Sequence, residues 1–121
     1  MASSDRIDRI SQEVHKALDE IIRYDLRDPR VAGTWSIVRC EVTRDMRYCK
    51  ARVGILEADK RKDMMAALQK ASGFIRRELG RRVDLRYTPE ILFELDTNIE
   101  YAAHINQLLK ETEKHAEPSD D

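Results

Sequence analysis

The residues with the most chemistry to offer are cations. Lys70, Arg76, Arg77, Arg81, Arg82 and Arg86 fall within one stretch, against only Glu78 and Asp84, a local balance of +4. A guanidinium grips phosphate oxygens in pairs and stacks flat on bases, so such a run suits a phosphodiester partner. On a helical wheel phased to Ile75 and Leu79, Arg77 and Arg81 point away from the core and Arg76 flanks it. Arg77 and Arg81 form an i,i+4 like-charge pair that costs roughly 0.2–0.5 kcal/mol of helix stability. Two readings compete. One is a solvated face, helped by Glu78 and by cations near a helix C-terminus. The other is a nucleic-acid strip, favoured because the run is long and because Lys50 and Arg52 on a neighbouring strand add to it.

No enzyme constellation competes with this strip. Ser72 and Cys49 lack a histidine nearby in sequence to serve as base. There is no Gly-rich phosphate loop, and four glycines in the whole chain are too few for one. None of the many carboxylates sits in an apolar run that would raise its pKa for acid–base work. His15, His104 and His115 show no metal-ligand spacing, and Cys40 and Cys49 read as reduced core residues. The expectation is no catalytic residue, no metal, no cofactor and no small-molecule substrate.

Length and composition set the frame. A chain of 121 residues with 41% hydrophobic and 37% charged residues is expected to form one domain with a modest core. The net charge of −1 conceals a polar molecule, because residues 94–121 carry eight acids against Lys110 and Lys114, a balance of −6. The first twenty residues are charged throughout, without the apolar stretch of a secretory signal, and no run is apolar enough to span a bilayer. A cytoplasmic protein is expected.

Periodicity supplies the elements that must position the cations. Ile7, Ile10, Val14, Leu18 and Ile21 mark one face of a helix from Asp5 to Tyr24, which should stop before Asp28-Pro29. Val38, Cys40 and Val42 alternate with Arg39, Glu41 and Thr43. Cys49, Ala51, Val53 and Ile55 alternate with Tyr48, Lys50 and Arg52. The spacing predicts a hairpin of strands Thr34–Thr43 and Tyr48–Leu56 with one buried face. Met64, Leu68, Ala71, Ile75 and Leu79 form one helical stripe that keeps its phase across Gly73, so periodicity alone draws a single straight helix. Pro89–Leu95 alternates as a third strand. Thr97-Asn98-Ile99-Glu100 is a capping-box pattern opening a last helix lined by Tyr101, Ala102, Ile105, Leu108 and Leu109. The tail from Glu113 is acidic, lacks a core and is expected to be disordered. The fold class is α+β, two layers with helices on one face of a three-stranded sheet.

With the elements placed, the chain resembles the ribosome-binding factor A family of bacterial small-subunit assembly factors, from about Arg6 to Leu109. The carriers are Asp28-Pro29-Arg30-Val31, Val42-Thr43-Arg44-Asp45-Met46, Ala71-Ser72-Gly73-Phe74-Ile75-Arg76 and the run from Leu85 to Asp96, LRYTPEILFELD. Position 91 is Ile where the family pattern has Leu. The resemblance implies a KH-like (type II) two-layer sandwich, α-β-β-α-α-β, in residues 1–112. An Ala-x-Gly kink (Ala71-Ser72-Gly73) would replace the usual nucleic-acid loop, a C-terminal helix would be added, and residues 113–121 would form the tail. It further implies a non-catalytic protein that binds the free 30S subunit and 16S rRNA, assists late rRNA maturation and supports growth in the cold. Ser72 and Gly73 match the kink, and Arg76 and Arg86 match basic motif positions. Lys70, Arg77, Arg81 and Arg82, like Lys50 and Arg52, are assigned to RNA on charge and geometry alone. A monomer is expected. The rival reading is a protein–protein adaptor using the acidic C-terminal region or the sheet edge.

Overall fold

The computed structural model describes residues 4–97 and 106–111. Helix α1, Ser4–Glu20, runs into a π-helical turn over Ile21–Asp25, closed by Leu26 N–H donating to Ile21 O at 3.0 Å. Strands β1 (Trp35–Val42) and β2 (Tyr48–Ile55) follow, then a short 3₁₀ turn at Ala58–Lys60. Helices α2 (Arg61–Lys70) and α3 (Ser72–Arg82) lead to strand β3 (Glu90–Leu95). Residues 106–111 are helical. The capping box expected to open that helix lies largely outside the described residues, as does the acidic tail.

The sheet order is β1-β2-β3, with β1 antiparallel and β3 parallel to β2. The α1 stripe forms as expected: Ile10, Val14, Leu18 and Ile21 are buried, with α1 packed on β1, while Ile7 is only half-buried. Ser11 Oγ also accepts a bond from Val42 N–H at 3.0 Å, pinning α1 to the end of this edge strand. Met64, Leu68, Ile75 and Leu79 are fully buried, so both later helices face the same layer as α1. That layer rests on the sheet face carrying Cys49, Ala51, Val53, Ile91 and Phe93.

One sequence expectation needs correction. Val38 does not join the inward alternation of β1. The pairing register shifts between Ile37 and Arg39, so Ile37 and Cys40 both turn inward and Val38, at the irregularity, is half-buried. An extra residue in one strand of an antiparallel pair re-phases everything beyond it, which a strict period of two cannot anticipate.

The middle helical stripe also departs from a straight rod. It divides at Ala71, whose φ of −88° and ψ of 4° lie in the sparsely populated bridge region. Gly73 is ordinary helix inside α3: its φ is not positive, and a Cβ placed on it would meet nothing within 4 Å.

Cys40 and Cys49 are buried free thiols whose sulfurs lie 3.1 Å apart in a hydrogen bond that either can donate. That bond first, and burial second, push the Cys40 thiol far above its ordinary range. Because the thiolate is the nucleophile and must be reached by a reagent, two buried thiols should be inert in the folded protein. Titration with a disulfide reagent at mildly alkaline pH is expected to give no fast-reacting thiol natively and complete reaction in denaturant. A rapid native reaction at Cys40 would contradict this environment.

Candidate nucleic-acid interface

Two turns of α3 decide where its cations go. Ile75 and Leu79 face inward, which leaves Arg77 and Arg81 in solvent on the far side of the helix. The Arg81 side chain is 77% exposed and reaches only Glu78, 3.4 Å away, while Arg77 has no ion-pair or hydrogen-bond partner among the described residues. The other arginines are engaged with the protein. Arg76 donates from Nε and Nη2 to Thr88 O at 3.1 and 2.9 Å, holding the loop before β3 against α3. Arg82 ion-pairs with Asp25 and lies 3.6 Å from Glu20, tying the end of α3 to the end of α1. Arg86 lies over the Tyr87 ring, 5.6 Å from its centroid.

Lys70, at the end of α2, is exposed and within electrostatic reach of Asp28. The Asp28 carboxyl is held down to about 2, chiefly by the Arg30 guanidinium that bonds it. Ser72 is half-buried and Gly73 exposed, both in the first turn of α3 just past the Ala71 break.

Lys50 and Arg52 do not join these groups. They alternate with buried Cys49, Ala51 and Val53, which places them on the sheet face opposite the helices. Charge there is balanced: Lys50 sits opposite Glu41 in register, Arg39 is 3.0 Å from Glu41, and Arg52 is 3.6 Å from Glu94. The predicted strip is therefore two surfaces on opposite layers, and the helical one carries Arg77, which has no carboxylate partner among the described residues, beside Arg81, whose one partner is Glu78.

The sequence marks Arg44 and Arg47 in the β1–β2 turn as basic but gives no sign of the groove that forms there. Asp45 Oδ1 accepts bonds from Thr43 Oγ1 at 2.7 Å and from Arg47 N–H at 3.1 Å, and the Asp45 pKa is lowered, by the first of these most. Tyr48 N–H donates to Thr43 Oγ1 at 3.1 Å, and Glu90 N–H to Arg47 O at 2.8 Å. This framework holds Arg47 and Tyr48 beside Arg76 and Tyr87 around a groove of about 570 Å³. A second groove of about 200 Å³ adjoins it across Met46, lined by Arg6, Arg9 and Arg86 among others. Tyr48 had a legible signal, an outward phase in β2. Tyr87 had none, because it lies in a loop without periodicity. Among the described residues no group of three or more His, Cys, Asp or Glu side chains could hold a metal ion.

Comparison with known proteins matches residues 6–109 to the family model described as ribosome-binding factor A. Ribosome-binding factor A of Clostridium novyi is 52% identical over 105 residues, covering 86% of this chain and 87% of that one. Its counterpart in Acetivibrio thermocellus is 46% identical over 118 residues, covering 97% and 96%. The crystal structure of ribosome-binding factor A from Thermus thermophilus superposes with a TM-score of 0.64 at 22% identity, over 74% of this chain and 94% of that one, and so bears on the fold alone. A solution NMR structure of a Thermotoga maritima protein assigned to the same family superposes with a TM-score of 0.67 at 31% identity, over 83% and 95%.

The partition among arginines is testable by chemical denaturation. Arg82→Ala removes a half-exposed link between α1 and α3 and should cost about 1 kcal/mol. Arg77→Ala should change stability by less than about 0.5 kcal/mol. Gly73→Ala should stabilise by about 0.5–1 kcal/mol, because the site is helical and open. A destabilised Gly73→Ala protein would mean that the backbone there is not ordinary helix.

Proposed function

The chain belongs to the ribosome-binding factor A family, and on that footing we propose that it is a non-catalytic assembly factor. In this reading it binds free small (30S) ribosomal subunits through 16S rRNA, assists the late maturation of that RNA and supports growth in the cold. It acts as a cytoplasmic monomer whose single domain, residues 1–112, is KH-like of the type II topology, with residues 113–121 as a tail. The element order α-β-β-α-α-β supports this topology, as does the break in the middle helix at the first residue of Ala71-Ser72-Gly73.

The observation that carries the reading is the solvent-facing Arg77–Arg81 pair. The fold gains little from it, since both side chains lie outside the core and like charges one helical turn apart disfavour the helix. A phosphate backbone would turn that cost into binding free energy, releasing a counterion for each phosphate neutralised. Arg86 and Lys70 are further exposed cations that a phosphate backbone could meet. Arg82 would contribute mainly by shaping the surface, since it is engaged with Asp25 and Glu20, whereas Arg76 is oriented by Thr88 O and keeps donors to spare. Gly73 has no conformational reason to be glycine, and a missing Cβ in the first turn of α3 suits close approach of an RNA backbone. Lys50 and Arg52 would serve only a partner that reached the opposite face.

Sucrose-gradient sedimentation tests the proposal. The tagged protein should co-migrate with free small subunits and not with whole ribosomes, and its binding should fall steeply with salt. The Arg77→Glu, Arg81→Glu double variant should keep its fold and lose most subunit binding. Undiminished co-sedimentation would remove these two residues from the interface. Gly73→Ala is expected to bind more weakly although it folds more stably. Binding that persists at high salt and passes through a protein partner would favour an adaptor instead.

A further inference from the structure

The groove at the β1–β2 turn combines features that the fold does not require. Its lining includes two exposed tyrosines, Tyr87 at 61% and Tyr48 at 41%. Neither hydroxyl has a hydrogen-bond partner among the described residues. An aromatic ring at that exposure contributes little to a core, and exposed tyrosines are a favoured contact for partners with one apolar face and one wet edge. Around the rings stand Arg47 and Arg76. Arg76 spends two N–H groups on Thr88 O, which fixes its plane and leaves three donors of the guanidinium for another acceptor. Arg86, over the Tyr87 ring, leads to the adjoining groove, where Arg6 and Arg9 stand with Glu13 and Asp84. The groove also holds two carboxylates: Asp45, whose Oδ1 is turned to Thr43 Oγ1 and the Arg47 amide within the turn and stays ionised, and the exposed Glu90, so a phosphate must seat on the arginine side of the rings.

We propose that this groove is a single-stranded RNA site in which an unpaired base stacks on Tyr87 or Tyr48 and the flanking phosphates meet Arg47 and Arg76. The proposal deepens the ribosomal reading above and rests on it for the biological source of the RNA. The volume, about 570 Å³, falls in the range of roughly 300–1,000 Å³ usual for small-ligand clefts and accommodates a nucleotide. Unpaired RNA is the form that fits, because a base already stacked in a duplex has no free face to offer a tyrosine. Stacking on an aromatic platform does not depend on base identity, so the site should be tolerant of sequence. A protein partner fits less well: the groove offers only Met46 as an aliphatic anchor, and cations flank both of its rings.

The test uses the full chain and two labelled probes, heptauridine and an RNA duplex of the same length. Heptauridine should bind in a salt-dependent manner and more tightly than the duplex. At least one of Tyr87→Leu and Tyr48→Leu should weaken heptauridine binding about tenfold, the effect of losing one stacked base. Tyr87→Phe and Tyr48→Phe, which keep the ring, should stay within about twofold. The proposal falls if wild-type protein does not bind heptauridine, if the duplex binds as well, if the double leucine variant binds like wild type, or if phenylalanine is as harmful as leucine. On subunits, Tyr87→p-benzoylphenylalanine should photocrosslink to RNA. A crosslink solely to a ribosomal protein overturns the site. Should heptauridine bind as expected while the chain fails to co-sediment with small subunits, the groove stands and the assembly reading falls.

Discussion

The parallel pairing of β3 with β2 is the constraint on which the rest depends. Strands running the same way cannot be joined by a tight turn, so the chain must leave the sheet at Ile55 and return at Glu90 through a crossover. The crossover is α2 and α3, and its apolar stripe has one place to be buried, the sheet face already covered by α1. Those helices and the strands meet through fully buried Leu18, Met64, Leu68, Ile75 and Leu79 above Ala51, Val53 and Ile55. The return path also brings the loop before β3 back to the hairpin turn, where Glu90 N–H bonds to Arg47 O. Residues far apart in sequence, Arg47 and Tyr87, become neighbours there for that reason.

The same packing sorts the arginines into different jobs. Burying Ile75 and Leu79 orients α3 and sends Arg77 and Arg81 to solvent. Its last turn comes to rest beside the end of α1, and Arg82 falls among Glu20 and Asp25. A cation that fastens two helices and a cation that has nothing to fasten differ by only a few positions in sequence. Their side chains are the same, and the difference is entirely in what the neighbouring helix presents.

The break in the crossover is carried by Ala71 and not by the glycine beside it. Ala71 N–H still donates to Ala67 O at 3.0 Å, and Ile75 N–H donates to Ala71 O at 2.9 Å, so hydrogen bonding continues on both sides of the junction. A helix that breaks at one residue without losing its local bonds needs no left-handed residue. That separates the two parts of the Ala-Ser-Gly stretch: alanine holds the junction, and glycine leaves an open patch beside it.

Much of this was legible in the residues. Apolar periodicity located α1, both hairpin strands, the crossover helices and β3 to within a few residues, because burial of one face is what each element must achieve. It also oriented Arg77 and Arg81 correctly, since a helix phase is a local property. Periodicity failed at Val38, where an irregularity re-phased a strand, and at Ala71, where the stripe stays in phase through a break. Neither event leaves a mark in a pattern of polar and apolar residues. What the tertiary structure alone decided was adjacency. It set Lys50 and Arg52 on the layer opposite α3, bound Arg76 and Arg82 to partners elsewhere in the chain, and gathered Arg47, Tyr48 and Tyr87 around one groove. Sequence records which way a side chain leaves its own element, whereas the neighbours it meets depend on how the crossover folds back across the sheet.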